Sequence, residues 1–483
     1  MIMNILLVSA ELAPFAKVGG LADISGALPI GWKRIGHNPI IVIPKYKGIE
    51  EQFHILKTDI IITFTLFEKE RAFPIWTSTL PNEEIPVYFI ESDELYDRPG
   101  IYGDPDGYVD NDERFYVLCK TAFELMIKLN IKPDIISAHD YHTALLLPLL
   151  QFTYSKHPLF KSSKGVLTIH NAQYQGWYDL QRMIDMTLWN AEECLWKGEF
   201  NALKTGIDHA DLIIAVSPSY AKEILTPEFG EGLENVYSHY SDKLIGILNG
   251  VDYALWNPES DAFIDHHFSK NDLNNKLTGK IHIIKQYFED YTYSDELPLI
   301  GMVSRFTDQK GIDLLDGCIE HLLEKGLCRL IVLGSGEERY QSYFNALKLR
   351  YPRLVSYTQG YNEQLAHHIL AYSDFFLLPS RFEPCGLTQL YALKYGTIPI
   401  VRSVGGLKDS VQSFDSITQK GDGIIFQQFT KQALHNALMD ARSLYNDSTL
   451  MLSIIDNAMQ ADYSIEKTAK EYIDEFKKLL NKN

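Results

Sequence analysis

The sequence predicts two doubly wound α/β domains in one chain. Its length of 483 residues exceeds what one ordinary hydrophobic core supports, so two domains of roughly 200 to 250 residues are expected. Short, continuous apolar runs alternate with helical patterns, which is typical of parallel strands buried on both faces. The same alternation begins again in the second half. Each half therefore predicts its own sheet with helices around it.

The predicted strands end in polar or turn residues. In the first half they are NILLVSAE, PIIVIPKY, PDIISAHD, GVLTIHN, ADLIIAVSP and LIGILNGVD. In the second half they are LPLIGMVSR, CRLIVLGSG, RLVSYTQGY, DFFLLPS and IPIVRSVGG. Helical patterns lie between many of them; in NEQLAHHILAYS, Leu365, Ile369 and Leu370 fall on one face. Ligands of such sheets bind at the carboxyl ends of the strands, so residues there are the candidates for function.

Three segments are expected along the chain: an N-terminal domain over 1–252, a C-terminal domain over 253–462 and a final helix over 463–483. The first boundary lies where a polar segment rich in Asn, Asp and Lys begins. The final segment, IEKTAKEYIDEFKKLLNKN, is amphipathic and has a basic last turn, which suits the helix dipole. We expect this helix to pack back on the N-terminal domain.

Charge and cysteine content limit the partners and the compartment. The net charge of −18 argues against nucleic acid and anionic membranes as main partners. The 5 cysteines are scattered without a C-x-x-C pair, which fits free thiols in a reducing compartment. The N-terminus resembles no leader, and no apolar run approaches the ~20 residues that span a bilayer. A cytoplasmic protein is expected.

The first candidate binding segment is FAKVGGLADISG, which follows the first predicted strand. Gly19 and Gly20 lack a Cβ, so their backbone could approach a phosphate at a helix N-terminus, and Lys17 adds a mobile positive charge. The alternative is a plain strand–helix turn with a solvated lysine. Two adjacent glycines do not decide between these interpretations.

Histidines and carboxylates follow two later strands of the first half. His139, Asp140 and His142 in SAHDYH could suggest zinc, but a third protein ligand is lacking, so a polar cluster is favoured and no metal is expected. GDPDGYVDND mimics a calcium loop without its twelve-residue spacing or final Glu, which favours a surface or substrate loop. His170 ends another strand and is either a ligand contact or a structural hydrogen-bonding group.

The second half offers cations and a carboxylate at its strand ends. Arg305 and Lys310 in VSRFTDQKG would suit a diphosphate, with solvated surface charges as the alternative. In PSRFEPCGLTQLYALKYG, Glu383 is expected to end a strand segment, Gly386 to open a helix and Thr388 to lie in its first turn. Glu383 could bind sugar hydroxyls, or merely cap that helix.

Taken together, these segments resemble the bacterial glycogen synthase and plant starch synthase family. The resemblance covers nearly the whole chain and keeps the family's order: KVGGLAD, YGDPDGYVDNDERF, HDYHTAL, IHNAQYQG, LKTGIDHAD, ILNGVD, VSRFTDQKG, GYNEQLAHHI, SRFEPCGLTQLYALKYG and VRSVGGLKDS. It implies a retaining glucosyltransferase of GT-B architecture, with two Rossmann-like domains that face each other across a cleft. The N-terminal domain would be the acceptor side and the C-terminal domain would bind the nucleotide sugar.

The resemblance also implies residue roles. Lys17, Gly19 and Gly20 would contact the donor's diphosphate, with Asp23 nearby. Asp140, His170 and Asn249 would line the sugar pocket, with Asn201 and Lys204 close to it. Arg305 and Lys310 would neutralise the departing diphosphate, Tyr361 would stack on the nucleobase and Glu383 would bind glucose hydroxyls. The backbone of Cys385, Gly386, Leu387 and Thr388 would cradle sugar and phosphate.

The reaction implied by the resemblance moves α-glucose from ADP-glucose to the non-reducing 4-OH of an α-1,4-glucan, without a cofactor. Retention is then expected by front-face attack, with the leaving phosphate helping to deprotonate the acceptor and Arg305 and Lys310 stabilising charge. Tyr391 stands where many relatives in the wider fold group carry a ribose-binding Glu, so the ribose contacts stay unassigned. Tyr141 and Ile465 replace the family's usual Trp and are expected to be packing changes.

Alternatives to this function differ in donor, acceptor or activity. The same fold could use UDP-glucose or another glucan acceptor. A glycogen phosphorylase is disfavoured, because the chain is short and has no pyridoxal-lysine signature. A catalytically inactive glucan-binding protein is disfavoured because every expected charged position is present: Lys17, Arg305, Lys310 and Glu383.

Overall fold

The structure is a computed structural model that describes residues 2–103, 107–187, 194–289 and 296–481. The chain divides into two compact units. Unit 1 comprises Met1–Gly250 and Ile465–Asn483, and unit 2 comprises Val251–Ser464. Each unit is a doubly wound α/β fold, which confirms the predicted fold class. Among the described residues, no helix has the length and apolar character needed to cross a membrane.

Unit 1 is built on a nine-stranded sheet and a small three-stranded sheet. Its strands are β1 (Asn4–Val8), β2 (Asn38–Pro44), β3 (Leu56–Leu66), β4 (Lys69–Thr79), β5 (Pro86–Ile90), β6 (Ile135–His139), β7 (Lys164–Ile169), β8 (Trp177–Tyr178), β9 (Leu195–Trp196), β10 (Glu199–Asn201), β11 (Leu212–Ala215) and β12 (Leu244–Gly246). The large sheet has the order β12-β11-β7-β6-β1-β2-β5-β4-β3. It is parallel except at β4, which runs antiparallel to β3 and β5.

The helices of unit 1 connect these strands. They are α1 (Gly20–Arg34), α2 (Ile49–Gln52), α3 (Asp93–Tyr96), α4 (Asn111–Leu129), α5 (Asp140–Thr143), α6 (Leu146–Pro148), α7 (Leu180–Thr187), α8 (Ala202–His209), α9 (Pro218–Glu223) and α10 (Glu234–His239), with a π-helical segment at Leu149–Tyr154. The strand order reverses between β1 and β6, which are paired neighbours in the sheet. Such a switch point opens a crevice at the carboxyl ends of the two strands.

Unit 2 has one parallel sheet of six strands. They are β13 (Leu299–Phe306), β14 (Arg329–Gly336), β15 (Val355–Gln359), β16 (Phe375–Leu378), β17 (Ile398–Arg402) and β18 (Ile424–Phe426). The order is β15-β14-β13-β16-β17-β18, so the switch point lies between β13 and β16. Its helices are α11 (Asn274–Tyr287), α12 (Cys318–Glu324), α13 (Glu338–Arg350), α14 (Glu363–Tyr372), α15 (Thr388–Lys394), α16 (Gly405–Ser410), α17 (Lys431–Tyr445) and α18 (Ser448–Gln460).

The last helix, α19 (Ile465–Asn481), packs against α1 in unit 1. A Cβ on Gly31 would lie 2.7 Å from the Ala469 Cβ, so the two helices approach closely at this glycine. Trp32 packs against the rings of Tyr472 and Phe476, at centroid distances of 6.1 and 5.9 Å. Ile465, at the start of α19, is fully buried. The apolar face of the amphipathic C-terminal segment is therefore covered by α1.

One sequence-based expectation for unit 2 is extended and another needs correction. Leu365, Ile369 and Leu370 are buried on α14, and every other residue from Leu365 to Tyr372 is buried as well, because α14 lies between the unit 2 sheet and α11. Glu383 does not end a strand, since β16 stops at Leu378 and α15 begins only at Thr388. Glu383 instead lies in a loop of irregular backbone, where its neighbours rather than a regular element determine its position.

Candidate functional site

The loop after β1 is held by a buried carboxylate that the sequence reasoning missed. Glu11 is 3% exposed, and its Oε2 accepts the backbone N–H groups of Val18 (2.7 Å) and Gly19 (2.8 Å). Its Oε1 accepts the Tyr102 hydroxyl at 2.5 Å. The Gly19 N–H expected to face a phosphate is therefore already bonded to a protein carboxylate. The only signal in the sequence was an acidic residue shortly after a buried strand.

Lys17, the cation of this loop, is ion-paired. Its Nζ lies 2.7 Å from Oδ1 of Asp23, which is in the first turn of α1, and both side chains are partly exposed. Gly19 is the N-cap residue of α1 and has extended backbone; a Cβ there would meet no atom within 4 Å. Space therefore remains beside the start of α1, next to the Lys17 ammonium.

Asp140 occupies the other side of the unit 1 switch point, directly after β6. Its φ of +56° lies in the left-handed region, which non-glycine residues rarely adopt and which clusters at functional sites. Its Oδ1 accepts the backbone N–H groups of His170 (2.7 Å) and Asn171 (3.3 Å) after β7. Burial raises the pKa of the Asp140 carboxyl to about 7, and the nearby Glu11 charge adds to this effect. The two N–H bonds oppose the rise.

The imidazole of the fully buried His139 lies against that of His170, which is partly exposed. Nδ1 of His139 lies 2.9 Å from Nε2 of His170, and Nε2 of His139 lies 3.1 Å from the Ser137 hydroxyl. Burial lowers the pKa of His139 well below its ordinary value and lowers that of His170 to about 3. Both rings are therefore neutral near pH 7, so their hydrogen-bonding character depends on which nitrogen carries the proton.

The third histidine of this region, His142, packs among aromatic rings. It stacks on Tyr102 with ring centroids 4.8 Å apart, and Tyr141 lies 3.8 Å from it. Across the described residues, no group of three or more His, Cys, Asp or Glu side chains could hold a metal ion. The calcium-like segment GDPDGYVDND includes residues 104–106, which lie outside the described residues.

The remaining candidate site residues of unit 1 differ in how many hydrogen bonds or ion pairs their side chains already make within the protein. Asn249 is 4% exposed, and its buried Oδ1 has no partner among the described residues. Asn201 is fully buried: its Oδ1 caps α8 by accepting the Lys204 N–H, and its Nδ2 donates to Gln175. Lys204 pairs with Asp208 at 2.6 Å. The Asn249 amide oxygen is thus enclosed without a partner, whereas the Asn201 amide supports the fold.

At the unit 2 switch point, Lys310 and Glu383 form a close ion pair. Lys310 ends a short 3₁₀ turn after β13, and its Nζ lies 2.7 Å from Oε2 of Glu383. Ser380 also donates to this oxygen, at 3.0 Å. Glu383 is 7% exposed, and its side chain does not cap α15, so the capping alternative is wrong. Oε1 of Glu383 has no partner among the described side chains.

Arg305 lies on the same strand end as Lys310. It belongs to β13 and its side chain is exposed. Within the described ranges, no carboxylate pairs with its guanidinium. One strand end therefore presents an exposed guanidinium, while the ammonium that follows it is fixed by a carboxylate from the loop after β16.

Two glycines allow the loops of unit 2 to meet. Gly311 has a φ of +66°, and a Cβ there would lie 2.0 Å from the Pro379 carbonyl oxygen. A Cβ on Gly406 would lie 2.2 Å from the Cys385 carbonyl oxygen, and the Gly406 N–H donates to the Glu383 carbonyl. Any side chain at either position would push the Glu383 loop away from Lys310.

Other predicted contacts lie around this loop. Gln389 donates to the carbonyl oxygens of Cys385 and Gly386, which fixes the backbone up to Leu387 and Thr388 at the start of α15. Tyr361 follows β15 and is 71% exposed. Tyr391 is 6% exposed and stacks on Trp256 at 3.8 Å. The tyrosine found in place of a ribose-binding Glu is thus a packing residue, and the structure assigns no ribose contact to it.

The chain is similar to known proteins over almost its whole length. Residues 4–239 match the starch synthase catalytic domain model and residues 284–460 match the model for glycosyl transferases group 1. Glycogen synthase 1 of Geobacter metallireducens is 38% identical, with 99% of this chain and 97% of the relative covered. Glycogen synthase of Bacillus subtilis is also 38% identical, with 97% of each chain covered.

A solved structure gives the same result for the fold. The catalytic domain of starch synthase IV from Arabidopsis thaliana, bound to ADP and acarbose, has a TM-score of 0.92 and 32% identity, with 100% of both chains covered. Sequence identity of 32–38% over almost the full length shows that this chain shares both its family and its fold with these proteins. The chain therefore belongs to the family of bacterial glycogen synthases and plant starch synthases, and it is a glucosyltransferase with the GT-B fold.

Proposed function

We propose that this chain transfers α-glucose from ADP-glucose to the non-reducing 4-OH end of an α-1,4-glucan, with retention of configuration. The observation that carries the proposal is the Lys310–Glu383 pair at the switch point of unit 2, with Arg305 on the same strand end as Lys310. ADP and acarbose in the starch synthase IV structure support a nucleotide donor and an oligosaccharide acceptor. The donor base and the exact acceptor are part of the proposal.

In this proposal the unit 2 residues carry the donor. Arg305 and Lys310 would offset the negative charge that develops on the departing diphosphate, which is the largest protein contribution expected in such a transfer. Glu383 would hold Lys310 in place through Oε2 and accept glucose hydroxyls at Oε1. Tyr361 would stack on the base, and the Cys385–Thr388 backbone would contact sugar and phosphate.

The unit 1 residues have proposed roles on the acceptor side. Lys17 would reach the diphosphate, with Asp23 as its partner in the absence of ligand and Gly19 and Gly20 leaving room beside the start of α1. Asp140, His170 and Asn249 would contact the transferred sugar, with Asn201 and Lys204 supporting them. The family resemblance supports these roles, and Lys17, Asp140, His170 and Asn249 also lie after the carboxyl ends of β1, β6, β7 and β12.

The domain assignment, partners and location complete the proposal. Residues 1–252 would form the acceptor side, 253–462 the nucleotide-sugar side, and the helix over 463–483 would belong with the first. All 5 cysteines are buried, and none of them forms a disulfide within the described residues, which supports a reducing, cytoplasmic compartment. The net charge of −18 supports the exclusion of nucleic acid and membranes as partners.

The proposal is tested with purified protein, glycogen and either ADP-[14C]glucose or UDP-[14C]glucose. We expect label from ADP-glucose to enter the polymer, and Lys310→Ala to slow this by about 10²–10³-fold. Lys431→Ala, which breaks an exposed ion pair with Asp316 in the same unit, is the matched control and should leave the rate unchanged. Faster incorporation from UDP-glucose would overturn the donor assignment, and no incorporation from either would leave the inactive glucan-binding protein as the better account.

A further inference from the structure

Three side chains beside the unit 1 switch point form a chain of hydrogen bonds that ends at the candidate site. Ser137 and His139 are two residues apart on β6, so their side chains lie on the same face of the sheet. The Ser137 Oγ lies 3.1 Å from Nε2 of His139, and Nδ1 of His139 lies 2.9 Å from Nε2 of His170. Ser137 and His139 are both completely buried. The protons of the Ser137 hydroxyl and the His139 ring therefore have no access to solvent as an alternative partner.

The direction of the first hydrogen bond follows from the environment of Ser137. Its Oγ has His139 Nε2 as its only partner among the described residues. If the hydroxyl accepted a proton from Nε2, its own hydrogen would be buried without an acceptor, which typically costs about 1–3 kcal/mol. If it donates, only oxygen lone pairs remain unused, and such under-satisfied acceptors are better tolerated. Ser137 therefore donates to Nε2 of His139.

The proton positions on both rings follow from this direction. A neutral imidazole has one N–H and one acceptor nitrogen, so a His139 that accepts at Nε2 carries its proton at Nδ1. That N–H donates to Nε2 of His170, which consequently carries its own proton at Nδ1. Burial keeps both rings neutral near pH 7, because it lowers the pKa of each. His170 is partly exposed and its Nδ1 is not enclosed by protein atoms, so this nitrogen is open to a ligand.

We propose that Ser137 is a positioning residue: through His139 it holds His170 in the Nδ1–H tautomer, so that His170 presents a hydrogen-bond donor to an oxygen of the sugar substrate. The substrate part of this inference rests on the proposed function. His170 then acts as a donor to a hydroxyl or ring oxygen and not as a base that removes a proton. The hydrogen-bond direction is a property of the free protein and can be measured without any substrate.

The direct test is a long-range ¹H–¹⁵N correlation spectrum of deuterated protein with ¹⁵N-labelled histidine, at pH 7.5 and without ligand. His139 and His170 are assigned from single substitutions. We expect both rings in the Nδ1–H form in the wild type, and a loss of that form at His170 in Ser137→Ala. Ser163→Ala is the matched control, since Ser163 is also buried and donates to the Pro133 carbonyl at 2.6 Å. A proton on Nε2 of wild-type His170 would overturn the inference.

A double-mutant cycle tests the same chain through activity. In His139→Asn, the amide nitrogen stands close to the position of Nδ1 and can donate to His170 without help from Ser137. We expect Ser137→Ala to lower kcat/KM about 10-fold in the wild type but less than 2-fold in His139→Asn, because the two substitutions act on one chain of hydrogen bonds. Equal effects in both backgrounds would contradict the inference. If the wild type shows no glucosyl transfer at all, the proposed function is refuted. The NMR spectrum would in that case still decide which tautomer His170 adopts.

Discussion

Replacing Asp140 by Asn should stabilise the protein at pH 8 and stabilise it much less at pH 5. Burial raises the pKa of the Asp140 carboxyl from an ordinary value of 3.8 to about 7. The folded protein therefore binds this proton more tightly than the unfolded chain does. Its favourable contribution to the free energy of unfolding is complete below about pH 4 and is lost as the pH rises through about 7.

The size of the effect follows from the two pKa values. Each pH unit between them corresponds to about 1.4 kcal/mol, so a fully ionised Asp140 costs the folded state about 4 kcal/mol. The Asn amide stays neutral, keeps an oxygen for the N–H groups of His170 and Asn171, and tolerates the positive φ as Asp does. The NH₂ group of Asn lacks a defined acceptor, which lowers the expected gain in the free energy of unfolding to about 2–4 kcal/mol at pH 8.

The measurement must read unit 1 alone. Urea-dependent hydrogen–deuterium exchange, followed by mass spectrometry on peptides that cover β6 and β7, gives the free energy of unfolding of this sheet at pH 5, 6, 7 and 8. The difference between Asp140→Asn and wild type should grow with pH, and Asp59→Asn, at an exposed position on β3, is the control. A difference that does not change with pH would refute the raised pKa. We also expect the rate of glucosyl transfer to fall in Asp140→Asn. A carboxylate that lowers the stability of the folded protein is expected to be kept because activity needs it.

Further substitutions test the two switch points separately. Glu11→Ala should increase protease cleavage within residues 15–20 and lower turnover, because two backbone N–H groups lose their acceptor. Glu11→Gln keeps one acceptor oxygen and should have a smaller effect. Unchanged cleavage in Glu11→Ala would show that Glu11 does not hold this loop. Glu383→Gln should lower kcat by about 10²–10³-fold, since it weakens the hold on Lys310 and the proposed sugar contact; wild-type kcat would argue against both. Lys17→Ala should raise the KM for ADP-glucose and lower kcat in initial-rate assays. If neither constant changes, Lys17 does not contact the diphosphate.

The sequence predicted the fold well where one strong local signal was sufficient. The continuous apolar runs that form β1 and β16 are recognisable because strands buried on both faces contain almost no polar residues. The antiparallel strands β3 and β4 were not predicted. Their burial alternates with many exposed positions, so no continuous apolar run marks them.

The candidate site was predictable only in part, for a physical reason. Arg305 lies in the last residues of β13 and Lys310 lies in the short turn after it, so strand ends and charge were enough to select them. Glu11 could not be selected in this way, since one of its partners is Tyr102, 91 residues away in the chain. The raised pKa of Asp140 depends on burial, which is a property of the folded protein. The N–H groups of the glycine-rich loop looked free in the sequence because nothing there showed that Glu11 bonds to them.

The central claim is that this chain extends an α-1,4-glucan with retention, and ¹H NMR of the product tests it most directly. Maltotetraose and ADP-glucose are incubated with the protein, and the anomeric protons are followed over time together with the ADP released. We predict new α-1,4 anomeric signals in a ratio of one to each ADP formed. Free glucose without chain extension, or a β-linked product, would contradict the account.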